Sequence, residues 1–119
     1  MTQEPLTIDI GECLVDAKEE MASHGVRHLV VTERGRVVGI LSDRDLHRCA
    51  AEKRVAPAVV SVGEAMTRSP YGVPPDTPLR EVARTMADEG FGCVVVLAGD
   101  RPVGIFTTRD ALRLLSALG

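Results

Sequence analysis

The stretch that decides the fold occurs twice in this chain. It reads GVRHLVVTERGRVVGILSDRD at Gly25–Asp45 and GFGCVVVLAGDRPVGIFTTRD at Gly90–Asp110. The same offset lays residues 1–54 over residues 66–119 without a gap, and sixteen of the overlaid positions are identical. Chance pairing at typical residue frequencies of roughly 7% would give about four identities. Two copies of one unit predict an intramolecular pseudo-dimer, since a solenoid needs three or more repeats.

The overlay also predicts the domain boundaries. Residues 1–54 form repeat 1, residues 55–65 form a linker and residues 66–119 form repeat 2. A chain of 119 residues can build one shared core more easily than two independent ones, so we expect the halves to pack together. The middle of the linker, Pro57–Val62, is too apolar for a free tether, and we expect it to pack on the rest of the chain.

Composition and charge narrow the class of protein. Hydrophobic residues make up 45% of the chain and charged residues 26%, which is typical of a globular protein. No apolar run reaches the roughly 18 residues of a membrane span. The three cysteines are unclustered and the N-terminus does not resemble a signal peptide, which predicts a reduced, cytoplasmic location. A net charge of −3 argues against nucleic acid as the main partner.

The apolar runs of the repeated stretch predict a β-hairpin in each copy. In the first copy, His28–Val31 is followed by a turn and by Val37–Leu41. In the second copy, Cys93–Leu97 is followed by a turn and by Pro102–Phe106. These runs are rich in β-branched residues and bounded by turn residues, as strands are. Because proline cannot donate to a strand ladder, Pro102 is expected as the first residue of its strand.

A helix is predicted before each hairpin, and another after it. Thr77 and Pro78 fit the N-cap and the first helical position, while Gly25 and Gly90 fit the left-handed residue that ends a helix. Leucines near the C-terminus predict the closing helix of the second copy. The stripe of one buried helix face recurs at i, i+3, i+4 and i+7 in Leu79, Val82, Ala83 and Met86.

An extended segment is predicted to open each copy, at Leu6–Ile8 and at Tyr71–Val73. The order in each copy is then β-α-β-β-α. Helices segregated against a small sheet define the α+β class.

Two copies in this order resemble a tandem pair of cystathionine-β-synthase (CBS) domains, called a Bateman module. The family commonly carries a proline at the start of the second strand, where this chain has Val30 and Val95, so we expect a different local backbone there. Residues 62–65 supply a lead-in segment to the second copy that the first copy lacks. The resemblance rests on Met66–Pro70, Pro75–Leu79, Gly25–Asp45 and Gly90–Asp110, with an echo in Met1–Pro5.

The resemblance implies a regulatory sensor that needs no cofactor. Members of this family bind adenosine-containing ligands in clefts between the two sheets, so the candidates are AMP, ADP and ATP, with S-adenosylmethionine ranked behind them. Whole modules of the family often pair into flat dimers, which implies a homodimer. The resemblance also implies a regulated partner protein, whose identity the sequence does not give. The alternative is a scaffold with empty clefts that serves dimerisation or protein docking.

The Ser/Thr-x-x-Asp pattern that closes each hairpin is the candidate ligand site. A helix start presents free N–H groups and the positive end of its dipole to a phosphate, and the flanking arginine can add a charge-assisted bond. The aspartate one turn in can accept both hydroxyls of a ribose. The same pattern also fits a helix capping box, and the two roles can coexist. The residues concerned are Ser42, Arg44, Asp45, Thr107, Arg109 and Asp110.

By resemblance, the base of the ligand lies in an apolar slot formed by the opening strand and the start of the second strand. Backbone groups rather than an aromatic clamp are expected to contact it, because the chain has only one tyrosine and two phenylalanines. Core packing is the alternative for the aliphatic members. The slot residues are Thr7, Ile8, Val26, Arg27 and His28 in the first copy, and Gly72, Val73, Phe91, Gly92 and Cys93 in the second.

Other chemistries lack a motif. No Cys-x-x-Cys spacing occurs and the three cysteines are unclustered, so no metal site is expected. No glycine-rich phosphate loop or nucleophile constellation is present, so the chain is not expected to be an enzyme. Asp43 stands where the second copy has Thr108, and a carboxylate repels a phosphate, so the second site should hold polyphosphates better.

Overall fold

The structure is a computed structural model that describes residues 2–3, 5–53, 56, 59–68 and 71–118. Residues 55, 57 and 58 of the predicted linker lie outside this range. So do residues 1 and 4 of the stretch 1–5 and residues 69 and 70 of the stretch 66–70, which carry part of the resemblance. The chain divides into a first compact unit, Leu6–Pro70, and a second compact unit, Met1–Pro5 with Tyr71–Gly119. The elements are β1 (Thr2–Gln3), β2 (Thr7–Asp9), α1 (Leu14–His24), β3 (His28–Glu33), β4 (Arg36–Ser42), α2 (Asp43–Lys53), α3 (Val62–Ala65), β5 (Thr67–Arg68), β6 (Gly72–Val73), α4 (Leu79–Glu89), β7 (Cys93–Ala98), β8 (Arg101–Thr107) and α5 (Thr108–Leu118).

Each compact unit contains one four-stranded sheet. The first unit has the strand order β2-β3-β4-β5, and the second has β1-β8-β7-β6. In both, the hairpin is antiparallel and the strand before the helix joins it in parallel, β2 beside β3 and β6 beside β7. The predicted β-α-β-β-α order and the α+β class are confirmed.

The buried helix faces pack on their own sheets as the periodicity predicted. The first core includes Leu14, Ala17 and Met21 of α1 with strand residues of β3 and β4. In the second core, Val82 and Met86 of α4 pack with Phe106. Leu79, the first member of the predicted stripe, is 42% exposed and lies outside this core.

The predicted C-terminal ends of α1 and α4 are confirmed, but the predicted N-terminal end of α4 is not. Gly25 and Gly90 end α1 and α4 with positive φ angles of 64° and 76°, as predicted. The predicted N-cap at Thr77 is wrong, because the N-cap of α4 is Pro78 and the helix starts at Leu79. The Thr77 N–H instead closes a turn on the Pro74 carbonyl, at 3.2 Å, which holds Thr77 outside the helix.

Pro102 also sits differently from the prediction. Strand β8 starts one residue earlier, where Arg101 pairs with Ala98, and Pro102 pairs with Leu97. The register shifts between Val96 and Leu97, so the proline lies at an irregularity of the ladder. A missing N–H is tolerated at such a bulge.

The short strands β1 and β5 do not pair within their own sequence repeats. Strand β5, from repeat 2, lies against β4 and aligns Arg68 with Gly39, while β1, from repeat 1, lies against β8 and aligns Gln3 with Gly104. A Cβ atom on Gly39 would lie 2.5 Å from Met66 Sδ and 2.8 Å from the Thr67 carbonyl oxygen. The glycine of the first Val-Gly-Ile motif is therefore required by the close approach of β5.

The described part of the linker packs on the first unit. The Leu14 N–H donates to the Val60 carbonyl at 3.0 Å, and the Val62 N–H donates to the Glu12 carbonyl at 2.7 Å. Val60 and Val62 are buried, as expected, whereas Val59 is 72% exposed. Residues 62–65 form α3 within this first unit, so they do not belong to the second compact unit.

Candidate functional site

The first Ser/Thr-x-x-Asp turn is a helix capping box. The Ser42 N–H donates to Asp45 Oδ2 at 2.9 Å, and the Asp45 N–H donates to Ser42 Oγ at 3.1 Å. This reciprocal pair satisfies two groups at the junction of β4 and α2. The capping interpretation is confirmed for this copy.

The second copy repeats the arrangement. Asp110 Oδ2 accepts the Thr107 N–H at 2.8 Å and the Thr107 hydroxyl at 3.1 Å, and the Asp110 N–H approaches Thr107 Oγ1 at 3.3 Å. Both aspartates therefore hold the strand-to-helix turn in a fixed shape. A ligand at either turn meets a preformed backbone.

The two aspartates differ in their surroundings. Asp45 is only 5% exposed, and its Oδ1 accepts a 2.8 Å hydrogen bond from Arg48 Nη2. Asp110 is half-buried and lies on the wall of an open cavity of about 210 Å³. The other residues that line this cavity are Leu79, Phe106, Arg113 and Leu114. Asp110 therefore lines an open cavity, whereas Asp45 is buried.

Main-chain hydrogen bonds connect each turn to the start of the second strand. The Asp43 N–H donates to the Arg27 carbonyl at 3.0 Å. In the second copy, both the N–H and the hydroxyl of Thr108 donate to the Gly92 carbonyl, at 3.1 and 3.2 Å. Two amides of each first helical turn are thus already bonded, and the neighbouring Arg44 and Arg109 side chains are exposed.

Strand pairing brings further slot residues to the turns. His28 pairs with Ser42, and Cys93 pairs with Thr107, and both His28 and Cys93 are half-buried. Gly92 is exposed, and a Cβ atom built on it would meet nothing within 4 Å. The surface at Gly92 is therefore open.

The opening strands divide into buried and exposed slot residues. Ile8 and Val73 are 7% and 6% exposed and belong to the cores of their units, which is the core-packing alternative. Val26 is half-buried against the first core. Thr7 and Gly72 are exposed, so they are the members of these strands that a ligand can reach.

A stacked aromatic pair, which the sequence did not predict, lies beside the second turn. The rings of Tyr71 and Phe91 have their centroids 5.4 Å apart and an interplanar angle of 25°. Phe91 is 39% exposed, and Tyr71 packs on the second core. Phe91 is one of the predicted slot residues, and Tyr71 is not. The signal available in the sequence was position, since Tyr71 precedes the predicted slot residue Gly72 and Phe91 precedes the predicted slot residue Gly92.

Two properties of the described residues bear on other functions. Within residues 2–3, 5–53, 56, 59–68 and 71–118, no group of three His, Cys, Asp or Glu side chains is placed to hold a metal ion. In the same part of the chain, every helix is too short or too polar to cross a membrane.

These observations define the class of protein: tandem α+β repeats, each with a strand-to-helix turn that its own aspartate caps. The chain belongs to the CBS domain family, because the sequence model of that family matches residues 1–52 and 62–117. The family expected from the sequence is thereby confirmed. Pairs of this family are typically regulatory and ligand-binding, and generally not catalytic.

The chain spans less than two thirds of the length of the first curated relatives that it matches. It is 34% identical over 106 residues to arabinose 5-phosphate isomerase KdsD of Pseudomonas aeruginosa, a match that covers 87% of this chain and 32% of that protein. It is 42% identical over 89 residues to the magnesium transporter MgtE of Thermus thermophilus, which covers 74% of this chain and 18% of that protein.

Solved structures of similar fold cover almost the whole chain. A Vibrio cholerae protein that carries the name acetoin utilization protein (AcuB) is 32% identical, with a TM-score of 0.81 and coverage of 99% of this chain and 87% of that one. The CBS domain pair of protein MJ0100, in complex with 5′-methylthioadenosine and S-adenosyl-L-methionine, is 25% identical with a TM-score of 0.84, and the match covers 99% and 94% of the two chains. The hexameric CBS-CP12 protein of bloom-forming cyanobacteria is 28% identical with a TM-score of 0.85, over 94% and 63%.

Proposed function

We propose that this chain is a regulatory sensor module that binds an adenine nucleotide and thereby changes its association with a partner protein. The observation that carries the proposal is the duplicated Ser/Thr-x-x-Asp turn at a strand-to-helix junction. In each copy this turn is hydrogen-bonded to the residue just before the neighbouring strand of the hairpin, Arg27 before β3 and Gly92 before β7. The MJ0100 pair, of the same fold, holds two adenosine-containing ligands. The three unclustered cysteines, none of which forms a disulfide, fit a cytoplasmic location.

Each residue of the second turn has a role in this proposal. Asp110 lies on the wall of the open cavity and accepts the hydroxyls of the ribose. The exposed Arg109 guanidinium binds the phosphate, and the open surface at Gly92 lets the ligand approach the backbone. In the first copy Asp45, Arg44 and the exposed Arg27 occupy the equivalent positions.

The two turns are not equivalent toward a phosphate. The first turn carries the half-buried carboxylate of Asp43 where the second carries the exposed hydroxyl of Thr108. A carboxylate raises the energy of a nearby phosphate, whereas a neutral hydroxyl does not. ADP and ATP therefore prefer the second turn.

The function is tested by ligand binding to the intact chain. A thermal-shift panel and titration calorimetry with AMP, ADP, ATP and S-adenosylmethionine should give saturable stabilisation, because a ligand that binds only the native state raises its stability. Asp110→Asn should weaken nucleotide binding at least fivefold, since it removes a charge-assisted acceptor. Asp88→Asn, an exposed carboxylate on α4, is the matched control and should bind like the parent. The absence of any shift at millimolar ligand would favour the ligand-free scaffold instead.

The exposed apolar side of α5 supports a homodimer. Leu112 and Leu115 lie one turn apart on α5 and are 60% and 64% exposed. Exposed leucines at this spacing are typical of a helix that packs against another chain. The CBS-CP12 protein of similar fold is hexameric. A second copy of this chain is therefore the proposed occupant of this surface.

A further inference from the structure

We propose that the second compact unit has a docking groove for a short apolar helical segment of the regulated partner protein. The segment lies there as residues 60–66 lie on the first unit. This inference rests on the proposed sensor function, because it names the chemistry by which the partner is recognised. Its basis is that the linker covers a place in the first unit whose equivalent in the second unit is an open cavity.

In the first unit, the end of the linker and α3 cover the core. Val60, Val62 and Ala65 are buried members of that core. Helix α3 packs against α2 and β4. It is a single helical turn, at whose start the Ser61 N–H donates to Glu64 Oε2 at 2.8 Å. A segment with the pattern Val-x-Val-x-x-Ala therefore completes this unit.

The second unit leaves the equivalent place open. Leu14 and Cys49 of the first core are 3% and 5% exposed. Their equivalents in the repeat overlay, Leu79 and Leu114, are 42% and 37% exposed. Both leucines line the cavity of about 210 Å³, together with the ring of Phe106 from the second core. These three side chains form the apolar wall of the proposed groove, and a segment that covers them removes apolar surface from water.

Two main-chain hydrogen bonds hold the linker on the first unit. The Leu14 N–H donates to the Val60 carbonyl at 3.0 Å, and the Glu12 carbonyl accepts the Val62 N–H at 2.7 Å. Neither bond uses the N–H of the residue between Glu12 and Leu14. Pro78, which has that position in the second unit, therefore removes no donor that the docking of such a segment needs.

The second unit presents the same main-chain edge. Before α1 the Glu12 N–H donates to the Asp9 carbonyl at 3.1 Å, and before α4 the Thr77 N–H donates to the Pro74 carbonyl at 3.2 Å. The two turns are equivalent in the repeat overlay. The Thr77 carbonyl and the Leu79 N–H thus hold the positions of the acceptor and the donor that bind the linker in the first unit. A partner segment can add to this edge through the same two bonds.

The groove borders the turn to which the proposed function assigns the nucleotide. Asp110 and Arg113 complete the lining of the cavity. A ribose at the Asp110 end takes up part of the same space, so the nucleotide and the segment exclude each other. Such coupling is reciprocal, because each ligand weakens the binding of the other by the same factor. In this proposal, nucleotide binding releases the partner segment.

The groove is tested in the full chain with a synthetic peptide of residues 59–68, VVSVGEAMTR. A ¹H–¹⁵N NMR titration should show saturable binding that shifts the amide signals of Leu79 and Leu114. Leu114→Gln should weaken peptide binding at least about fivefold, because it removes apolar surface from the wall of the groove. Leu112→Gln makes the same change on the same helix outside the cavity and is the matched control, which should bind the peptide like the parent. Circular dichroism verifies that both variants are folded.

A second peptide and a second ligand sharpen the test. Serine in place of Val60 and Val62 in the peptide should weaken binding at least about tenfold, since these are the side chains that the first unit buries. Saturating AMP should weaken binding of the original peptide to the parent chain, and the peptide should weaken AMP binding by the same factor.

The outcomes separate the groove from the sensor function. No peptide binding at millimolar concentration, or equal losses in Leu114→Gln and Leu112→Gln, would overturn the groove. A dimeric parent that Leu114→Gln converts to a monomer in sedimentation velocity would show that a second copy covers this place, which also overturns it. Unchanged peptide affinity at saturating AMP would overturn the release by nucleotide. A chain that binds AMP but not the peptide keeps the nucleotide site and loses the groove, and a chain that binds the peptide but no adenine nucleotide does the reverse.

Discussion

The guanidinium of Arg48 donates a 2.8 Å hydrogen bond to the carboxylate of Asp45, three residues earlier on α2. Asp45 is the one buried polar or charged residue among those whose burial the structure describes. Arg48 itself is 53% exposed, so the pair joins a buried acceptor to a solvated donor. The cap of α2 therefore depends on an ion pair as well as on Ser42.

Arg48→Met should destabilise the protein by about 1–3 kcal/mol, because it leaves the buried Asp45 carboxylate without its charged donor. Urea unfolding monitored by circular dichroism measures the change in the free energy of unfolding. Arg113→Met, at the equivalent position of the second unit, is the control and should change stability by less than about 0.5 kcal/mol, since Arg113 is exposed and Asp110 is only half-buried. Equal losses in the two variants would contradict the different roles of the two aspartates.

Gly39→Ala should destabilise the protein by about 1–3 kcal/mol, because the new methyl group would overlap Met66 Sδ and the Thr67 carbonyl oxygen of the β5 segment. Gly92→Ala adds the same methyl group where nothing lies within 4 Å and should leave stability nearly unchanged. Thermal and urea unfolding of both variants check this difference. A Gly39→Ala protein as stable as the parent would mean that β5 does not pack on β4 in solution.

Cys13→Ala should raise the pKa of Asp16. The Cys13 thiol donates a hydrogen bond to Asp16 Oδ2 at 3.2 Å, and this bond is the largest cause that holds the Asp16 pKa below its ordinary value. The Glu12 pKa is raised, chiefly by its hydrogen bond with Asp16, so Glu12 should titrate at a higher pH than Asp16. Carboxyl ¹³C NMR titration measures both values. Cys93→Ala is the control and should leave both pKa values unchanged.

The same substitution predicts a pH dependence of stability. A carboxyl whose folded pKa is lowered stabilises the native state above its unfolded pKa, and that stabilisation is lost as the pH falls through the folded pKa. Cys13→Ala should therefore be less stable than the parent at neutral pH and approach it in acid. A stability difference that grows as the pH falls would contradict this assignment.

The combined substitutions Leu112→Lys and Leu115→Lys should convert the proposed homodimer to a monomer, because they place two charges in an apolar contact. Sedimentation velocity of the parent and the variant measures the mass in solution. Ser116→Lys adds a charge at another exposed position of α5 and should not change the mass. A monomeric parent, or a variant that remains dimeric, would show that α5 is not the dimer contact.

The elements that the sequence predicted are those set by local chemistry. The hairpins follow from β-branched runs, and the ends of α1 and α4 follow from Gly25 and Gly90, since only glycine adopts a positive φ without strain. The reciprocal bonds of both capping boxes also join residues only three apart. The start of α4 was mispredicted because Thr77 is held by a competing turn on Pro74.

The candidate site was predicted only in part, because the sequence predicts only those features that neighbouring residues set. Its turns were found because their residues are adjacent in sequence, but the stack of Tyr71 on Phe91 joins residues twenty positions apart, one just before β6 and the other shortly before β7. The repeated Asp and Arg also looked alike in both copies. The burial of Asp45, in contrast to the half-buried Asp110, depends on what packs around each turn.

By itself the sequence determined that this protein is a duplicated α+β CBS pair with two capped strand-to-helix turns, because periodicity and turn chemistry act over a few residues. Only the tertiary structure decided that β5 joins β4 and β1 joins β8, that Asp45 is buried, and that Tyr71 and Phe91 stack in the second unit. Strand exchange, burial and stacking depend on contacts between segments distant in sequence, and no local pattern encodes which distant segment arrives.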